Sequence, residues 1–309
     1  MHNASVITML TLSGLGEMAN HRLLLFVLTF LCYCVIWLVN VTIIVTIIID
    51  KNLHGPMYIF LCTLCINSLY GTAGFYPKFL KDILSTAQVI SLTGCLAQGF
   101  VLHSSACADF SFLALMAYDR YVAICRPLSY HSVMTKRKII IFVFFAWLIP
   151  LYLVFMSSIT APTSGFCGSH IPKVYCVNHL VHNIACTVSL AKVIIPAFNY
   201  TFYFCHFLLI FWSYLYLIKT CKTSKEGRRK FMQTCVPHLV CLLTVTGCLL
   251  FDLLYMRFGS KEISQNLQNF MAIEFLLIPP IANPIIYGLK LTKIRNRIFQ
   301  KCLKFHSEV

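Results

Sequence analysis

The groups able to do chemistry in this 309-residue chain are few and widely spaced. Asp119 and Arg120 are adjacent opposite charges closing a long apolar stretch. Charges at such a boundary are costly, so they are normally paired or functional, and an adjacent pair can be made and broken. Asp109 lies eleven residues earlier, about three helical turns deeper. An ionisable group at that depth marks a functional site by default. His103 lies six residues before Asp109, and Arg257 stands in Met256-Arg257-Phe258-Gly259. A guanidinium offers a planar fork to a carboxylate, and an imidazole can donate a second bond. The competing readings are a snorkelling interfacial Arg257 and a His103 satisfied by its own helix. All of this is binding and switching chemistry. The eleven His are scattered, with no HExxH and no GxSxG, so neither an enzyme nor a resident cofactor is expected.

The sixteen cysteines divide by position. Most lie inside apolar runs as small packing residues. Cys95, Cys167, Cys176 and Cys186 flank or occupy connecting segments instead, and four cysteines allow three pairings. The loop that carries three of them is roughly 30 residues long, a length usually reserved for functional loops. Asn3-Ala4-Ser5 is a glycosylation sequon near the start of the chain.

These residues need a scaffold, and the composition limits it. The chain is 59% hydrophobic and 11% charged, with a mean hydropathy of +0.78. A soluble domain carries about 25% charged residues. Uncharged runs cover 23–49, 55–77, 83–108, 139–160, 193–218 and 231–251, and 264–289 is broken only by Glu274. Each reaches the length of about 20 residues that spans a bilayer, and none alternates as a barrel strand would. An all-α membrane protein follows: a seven-transmembrane helix bundle over 23–289. Residues 1–22 form an extracellular tail, and 290–309 a cytosolic segment with a short amphipathic helix. Placing the first, third and fifth connections with the C-terminal tail on one side collects eighteen of the 25 basic residues there. That side is the cytosol. The net charge of +15 is then topology, and nucleic acid is not needed.

Met116-Ala117-Tyr118-Asp119-Arg120-Tyr121-Val122-Ala123-Ile124-Cys125 resembles the signature of the odorant-receptor branch of the rhodopsin-like G-protein-coupled receptors. Collinear support comes from Pro56-Met57-Tyr58, Ser213-Tyr214, Lys230 to Cys235 with His238-Leu239, and Pro280 to Tyr287. The run Leu69 to Tyr76 and the Arg257-Phe258-Gly259 ending resemble the fish-like class I members. One departure is Pro237, where the family usually has Ser.

The resemblance implies roles. Asp119 holds Arg120 at rest, and the freed Arg120 meets a G protein with Tyr121, Tyr214, Asn283, Pro284 and Tyr287 as partners in the switch. It implies the disulfides Cys95–Cys176 and Cys167–Cys186. It places an acid at Asp109 and a second on the second helix, where this chain has Asn67 and Ser68. One carboxylate is a weak sodium site, and a protonated Asp109 bonded to Asn67 or Ser68 is the other reading. The implied ligand is a small odorant, held by Arg257 and His103 if it is an acid. Leu102, Ala106, Cys107, Asn199 and Leu253 line the rest, and His179 contributes from the loop. The implied partners are an olfactory-type stimulatory G protein and membrane lipid, in sensory cilia at the plasma membrane. The alternatives are a receptor of the same fold for an endogenous metabolite such as a bile acid or prostaglandin and, more remotely, a transporter.

Overall fold

A computed structural model describes residues 8–13, 21–160, 166–186, 190–221, 235–248, 265–290 and 294–297. Seven long helices carry the architecture: α1 (Arg22–Ile49), α2 (Pro56–Leu84), α3 (Leu92–Cys125), α4 (Lys136–Ile159), α5 (Leu190–Cys221), α6 (Cys235–Cys248) and α7 (Gln265–Lys290). The first five are long and apolar enough to cross a membrane, and α6 and α7 carry shorter apolar helices. The bundle is apolar on its outside. Leu24, Leu38, Phe144, Leu209 and Trp212 are exposed, as expected where lipid rather than water is the solvent.

Local sequence sets the helix starts. Gly55 precedes α2 with Pro56 in the first turn, where its missing N–H costs nothing. Ser91 caps α3 by accepting from the Gly94 N–H at 3.1 Å, and Thr135 caps α4 by accepting from the Lys138 N–H at 3.4 Å. The cap at Ser91 also sets the start of the third span. The uncharged run 83–108 straddles a turn, whereas the helix starts at Leu92 and continues through Asp109, Asp119 and Arg120. Absence of charge marks apolar sequence, not helix.

Helix α3 is the most buried of the five spans and packs against α2, α4 and α5, while α1 and α2 pack on α7. With lipid outside, helices associate through close backbone approach and polar contacts rather than hydrophobic expulsion. Gly71 and Gly74 supply that approach. A Cβ on Gly71 would lie 2.3 Å from Ser105 Oγ, and one on Gly74 would lie 2.6 Å from Val101 Cγ1.

The all-α expectation has one addition at the loop end of the bundle. Strand β1 (Met9–Leu12), from the expected tail, lies between β2 (Val89–Ser91) and β3 (His170–Ile171). It pairs antiparallel with β2, Leu10 opposite Ile90, and parallel with β3, Thr11 opposite His170. Leu10 is fully buried there, with Ile90, Cys95, Ile171 and Cys176 around it. At the other end, Asp50 accepts from the Asn52 N–H at 3.0 Å and pairs with Arg297 at 2.5 Å. The Asn52 N–H and Arg297 hold its carboxyl below the ordinary range.

Candidate functional site

The sheet end is a lid. Cys95, in the first turn of α3, is bonded to Cys176, and Cys167 to Cys186. The lid is also fastened by polar contacts. The Cys176 N–H donates to Gln98 Oε1 at 3.0 Å, Gln98 Nε2 donates to the Gly74 carbonyl at 3.1 Å, and Asn178 Nδ2 donates to Ser158 Oγ at 2.7 Å. Helices α3 and α4 therefore hold the loop, and α2 holds the Gln98 side chain that does so.

Beneath the lid, Leu102 is buried among Phe75, Tyr76, Phe79, Tyr175 and Leu276. Ala106 and Cys107 are buried one turn lower, and His103 is half-buried on the same helix. Cys107 adjoins Tyr203 of α5, a residue sequence reasoning missed although it follows Asn199 by one helical turn. Asn199 lies on α5 and His179 in the short helix Asn178–Asn183, but their side chains lie outside the described set. Leu253, Arg257 and Asn3 lie outside the described residues altogether. The structure thus brings Leu102, His103, Ala106 and Cys107 together on α3.

Midway down, Asn67 Nδ2 donates to Asp109 Oδ1 at 2.7 Å and to the Ser105 carbonyl at 2.8 Å. Ser105 Oγ returns a bond to the Asn67 carbonyl at 3.2 Å. Ser68 is no partner of Asp109 here, because its hydroxyl donates to the Leu64 carbonyl of its own helix at 3.1 Å. The reciprocal Asn67–Ser105 bonds sit one turn from the Gly71 contact. The amide is thereby aimed at the carboxyl.

At the far end, Arg120 Nη2 lies 2.5 Å from Asp119 Oδ2. Asp119 is fully buried, and its second oxygen accepts from the Tyr130 hydroxyl at 2.7 Å. Tyr130 opens a single helical turn, Tyr130–Val133, just past α3. Burial and the neighbouring Asp119 push its hydroxyl above the ordinary phenol range, so it remains a donor. Tyr121 packs on Tyr216 with ring centroids 5.7 Å apart. Tyr214 meets His238 of α6 through its hydroxyl, with the rings stacked at 5.6 Å. Tyr287 is buried with its hydroxyl 4.0 Å from Met116 Sδ, and both side-chain polar atoms of Asn283 are buried without a hydrogen bond among the described residues. Tyr130 and His238 were legible only as motif neighbours, since a contact between elements leaves no local pattern.

The prolines of α7 explain two further contacts. A proline frees the carbonyl four residues before it. Pro284 frees that of Pro280, to which Asn40 Nδ2 of α1 donates at 2.9 Å. Pro280 frees that of Leu276, to which the Tyr76 hydroxyl of α2 donates at 3.4 Å. The carbonyls that two prolines leave free in α7 are thus answered by side chains of two other helices.

The assembly is a disulfide-bonded loop over a buried apolar cluster at one end of a bundle and an adjacent ion pair at the other, joined by a central helix. A family model described as olfactory receptor matches residues 28–304. Olfactory receptor 4B13 of Mus musculus is 34% identical over 304 residues, covering 96% of this chain and 97% of that protein. Olfactory receptors 6N1 and 4B1 of Homo sapiens are each 31% identical, each match covering 96% of this chain.

Proposed function

The chain belongs to the olfactory receptor family, and from that premise we propose how it works as an odorant receptor. It is a multi-pass plasma-membrane receptor that couples odorant binding to a G protein, and it is not an enzyme. The lid faces the outside, where disulfides persist, and the Asp119–Arg120 end faces the cytosol, where the basic residues gather. The metabolite-receptor alternative is not favoured, because the relatives named above are olfactory receptors.

The odorant enters beneath the lid against Leu102, Ala106 and Cys107, with Asn199, Leu253 and His179 completing the wall. Arg257 and His103 take a carboxylate. A ligand shifts the receptor only by its differential affinity for the active state. In that state Arg120 leaves Asp119 and, with Tyr121, Tyr214, Asn283, Pro284 and Tyr287, forms the docking face for an olfactory-type stimulatory G protein in sensory cilia. Asp109 with Asn67 is a polar pin between α2 and α3; a single carboxylate there is a poor cradle for sodium. The observation that carries this reading is the double hold on Asp119, by Arg120 and Tyr130, at the opposite end from the disulfide-bonded lid.

The test is a cyclic-AMP reporter in cells expressing the receptor, with a panel of acids, alcohols, amines and steroid conjugates. A hydrogen bond to a charged group is worth about 1.5–3 kcal/mol, so Arg257→Ala should weaken acid responses about tenfold or more. Responses to uncharged ligands should hold. Unchanged acid sensitivity at normal surface expression would sink the carboxylate assignment.

A further inference from the structure

A groove of about 680 Å³ lies outside the ligand cavity, between the switch-end halves of α3, α4 and α5. Its floor is small, made by Ala114, Ala117 and Ala146, and its walls are Phe142, Phe145 and Trp212. Phe145 and Trp212 are exposed, so the groove opens sideways onto lipid. Along α3 it runs from Ser111 to Tyr121. Ten residues of helix cover about 15 Å, or half of a hydrocarbon core of about 30 Å. The groove is therefore as long as one leaflet is deep.

Its membrane-surface end is ringed by cations, one from each wall. On α4 the lining positions Phe142, Phe145 and Ile149 continue a helical stripe whose next member is Lys138. On α5, Trp212 and Tyr216 lead in the same way to Lys219. At the end of α3, Arg126 stands over the ring of the lining residue Tyr121, 6.0 Å from its centroid. Cys125 Sγ meets Thr220 Oγ1 at 4.0 Å, which brings the neighbours of Arg126 and Lys219 into contact. All three cations are exposed, and Lys138 Nζ also donates to the Ser132 carbonyl at 3.4 Å. The acid of this region among the described residues, Asp119, is buried and committed to Arg120 and Tyr130. Nothing anionic of the chain's own thus offsets the ring among the described residues.

We propose that this groove is a specific site for an acidic phospholipid of the inner leaflet: one acyl chain fills it, and the anionic headgroup sits among Arg126, Lys138 and Lys219. The leaflet assignment rests on the orientation proposed above; the lipid class does not. Charge complementarity selects this occupant. A sterol or a neutral odorant would fill the trough and leave three cations unanswered. A second copy of the chain fits poorly, because helix pairs in lipid meet through small residues, and here those lie behind the walls of Phe145 and Trp212. Basic pockets between membrane helices on the cytosolic side have the chemistry to hold such headgroups, each cation adding about fivefold in affinity.

The experiment is native mass spectrometry of the purified full-length receptor, delipidated and exposed to equimolar phosphatidylserine, phosphatidylcholine and cholesterol. Wild type should retain phosphatidylserine at least about tenfold over phosphatidylcholine. The triple variant R126Q/K138Q/K219Q should fall to parity, whereas K51Q/K81Q/R295Q, with equal charge removed away from the groove, should keep the preference. Ala146→Phe fills the trough without touching the cations and should also lose the lipid; the triple variants, all at exposed positions, decide the matter if it does not fold. No headgroup preference, equal loss in both triple variants, or retention of cholesterol alone would overturn the proposal. Odorant response is not read, so failure of the ligand assignment leaves this test standing.

Discussion

Asp119 holds two partners at once, and neither suffices alone. A buried carboxylate needs its lone pairs answered, and Arg120 and Tyr130 answer one oxygen each. Tyr130→Phe removes one answer and leaves the ion pair. The expected result is a shift of about 1.5 kcal/mol toward the released state, roughly tenfold in the resting-to-active ratio. Ligand-independent cyclic AMP at matched surface expression measures it, and an unchanged baseline would take Tyr130 out of the lock. The lesson at this scale is about visibility. Asp119–Arg120 could be read from the sequence because the partners are adjacent. Asn67–Asp109 left two candidates open, and only geometry turned Ser68 to its own helix and Asn67 to the acid.

At the scale of the helix, α7 has an interrupted hydrogen-bond ladder that is completed from outside. Three prolines, Pro279, Pro280 and Pro284, interrupt its ladder, and two of the freed carbonyls are answered by Asn40 and Tyr76. Hydrogen bonds between membrane helices are worth about 0.6–2 kcal/mol. Asn40→Ala and Tyr76→Phe should each lower the thermal stability of the detergent-purified receptor by a step of that size. The double variant should show their sum, because the two act on different carbonyls from different helices. A double variant no worse than either single one would mean that the ladder does not depend on both. The sequence made the prolines plain. The answering residues lie 200 and 240 positions away, and no local pattern connects them. The spans themselves were readable because charge is excluded from lipid. Their ends were not, since Leu84 to Leu92 is as uncharged as the first half of the helix that follows.

At the scale of the molecule, two ends with different chemistry are held at a fixed separation by helices. The covered end depends on an ordered lid, and the lid has the early residues of the chain at its middle. Leu10→Asp would place a charge in the apolar cluster of Ile90, Ile171 and the Cys95–Cys176 disulfide. The expected outcome is loss of surface receptor by flow cytometry, with partial recovery for Leu10→Val. Normal surface levels for Leu10→Asp would show the strand to be dispensable. Nothing in Met9–Leu12 announced a strand, because four residues gain that conformation only from the partners beside them.

That strand also dictates a schedule. Thr11 and the Ser169 it bonds are 158 positions apart. At roughly 5–20 residues per second of synthesis, the interval between them is about 8–32 s. The central strand is made first and its last neighbour waits for four helices to be threaded. Throughout that interval Leu10 has no finished place to go, so the lid closes around residues made long before it, and anything fused ahead of them must wait with them.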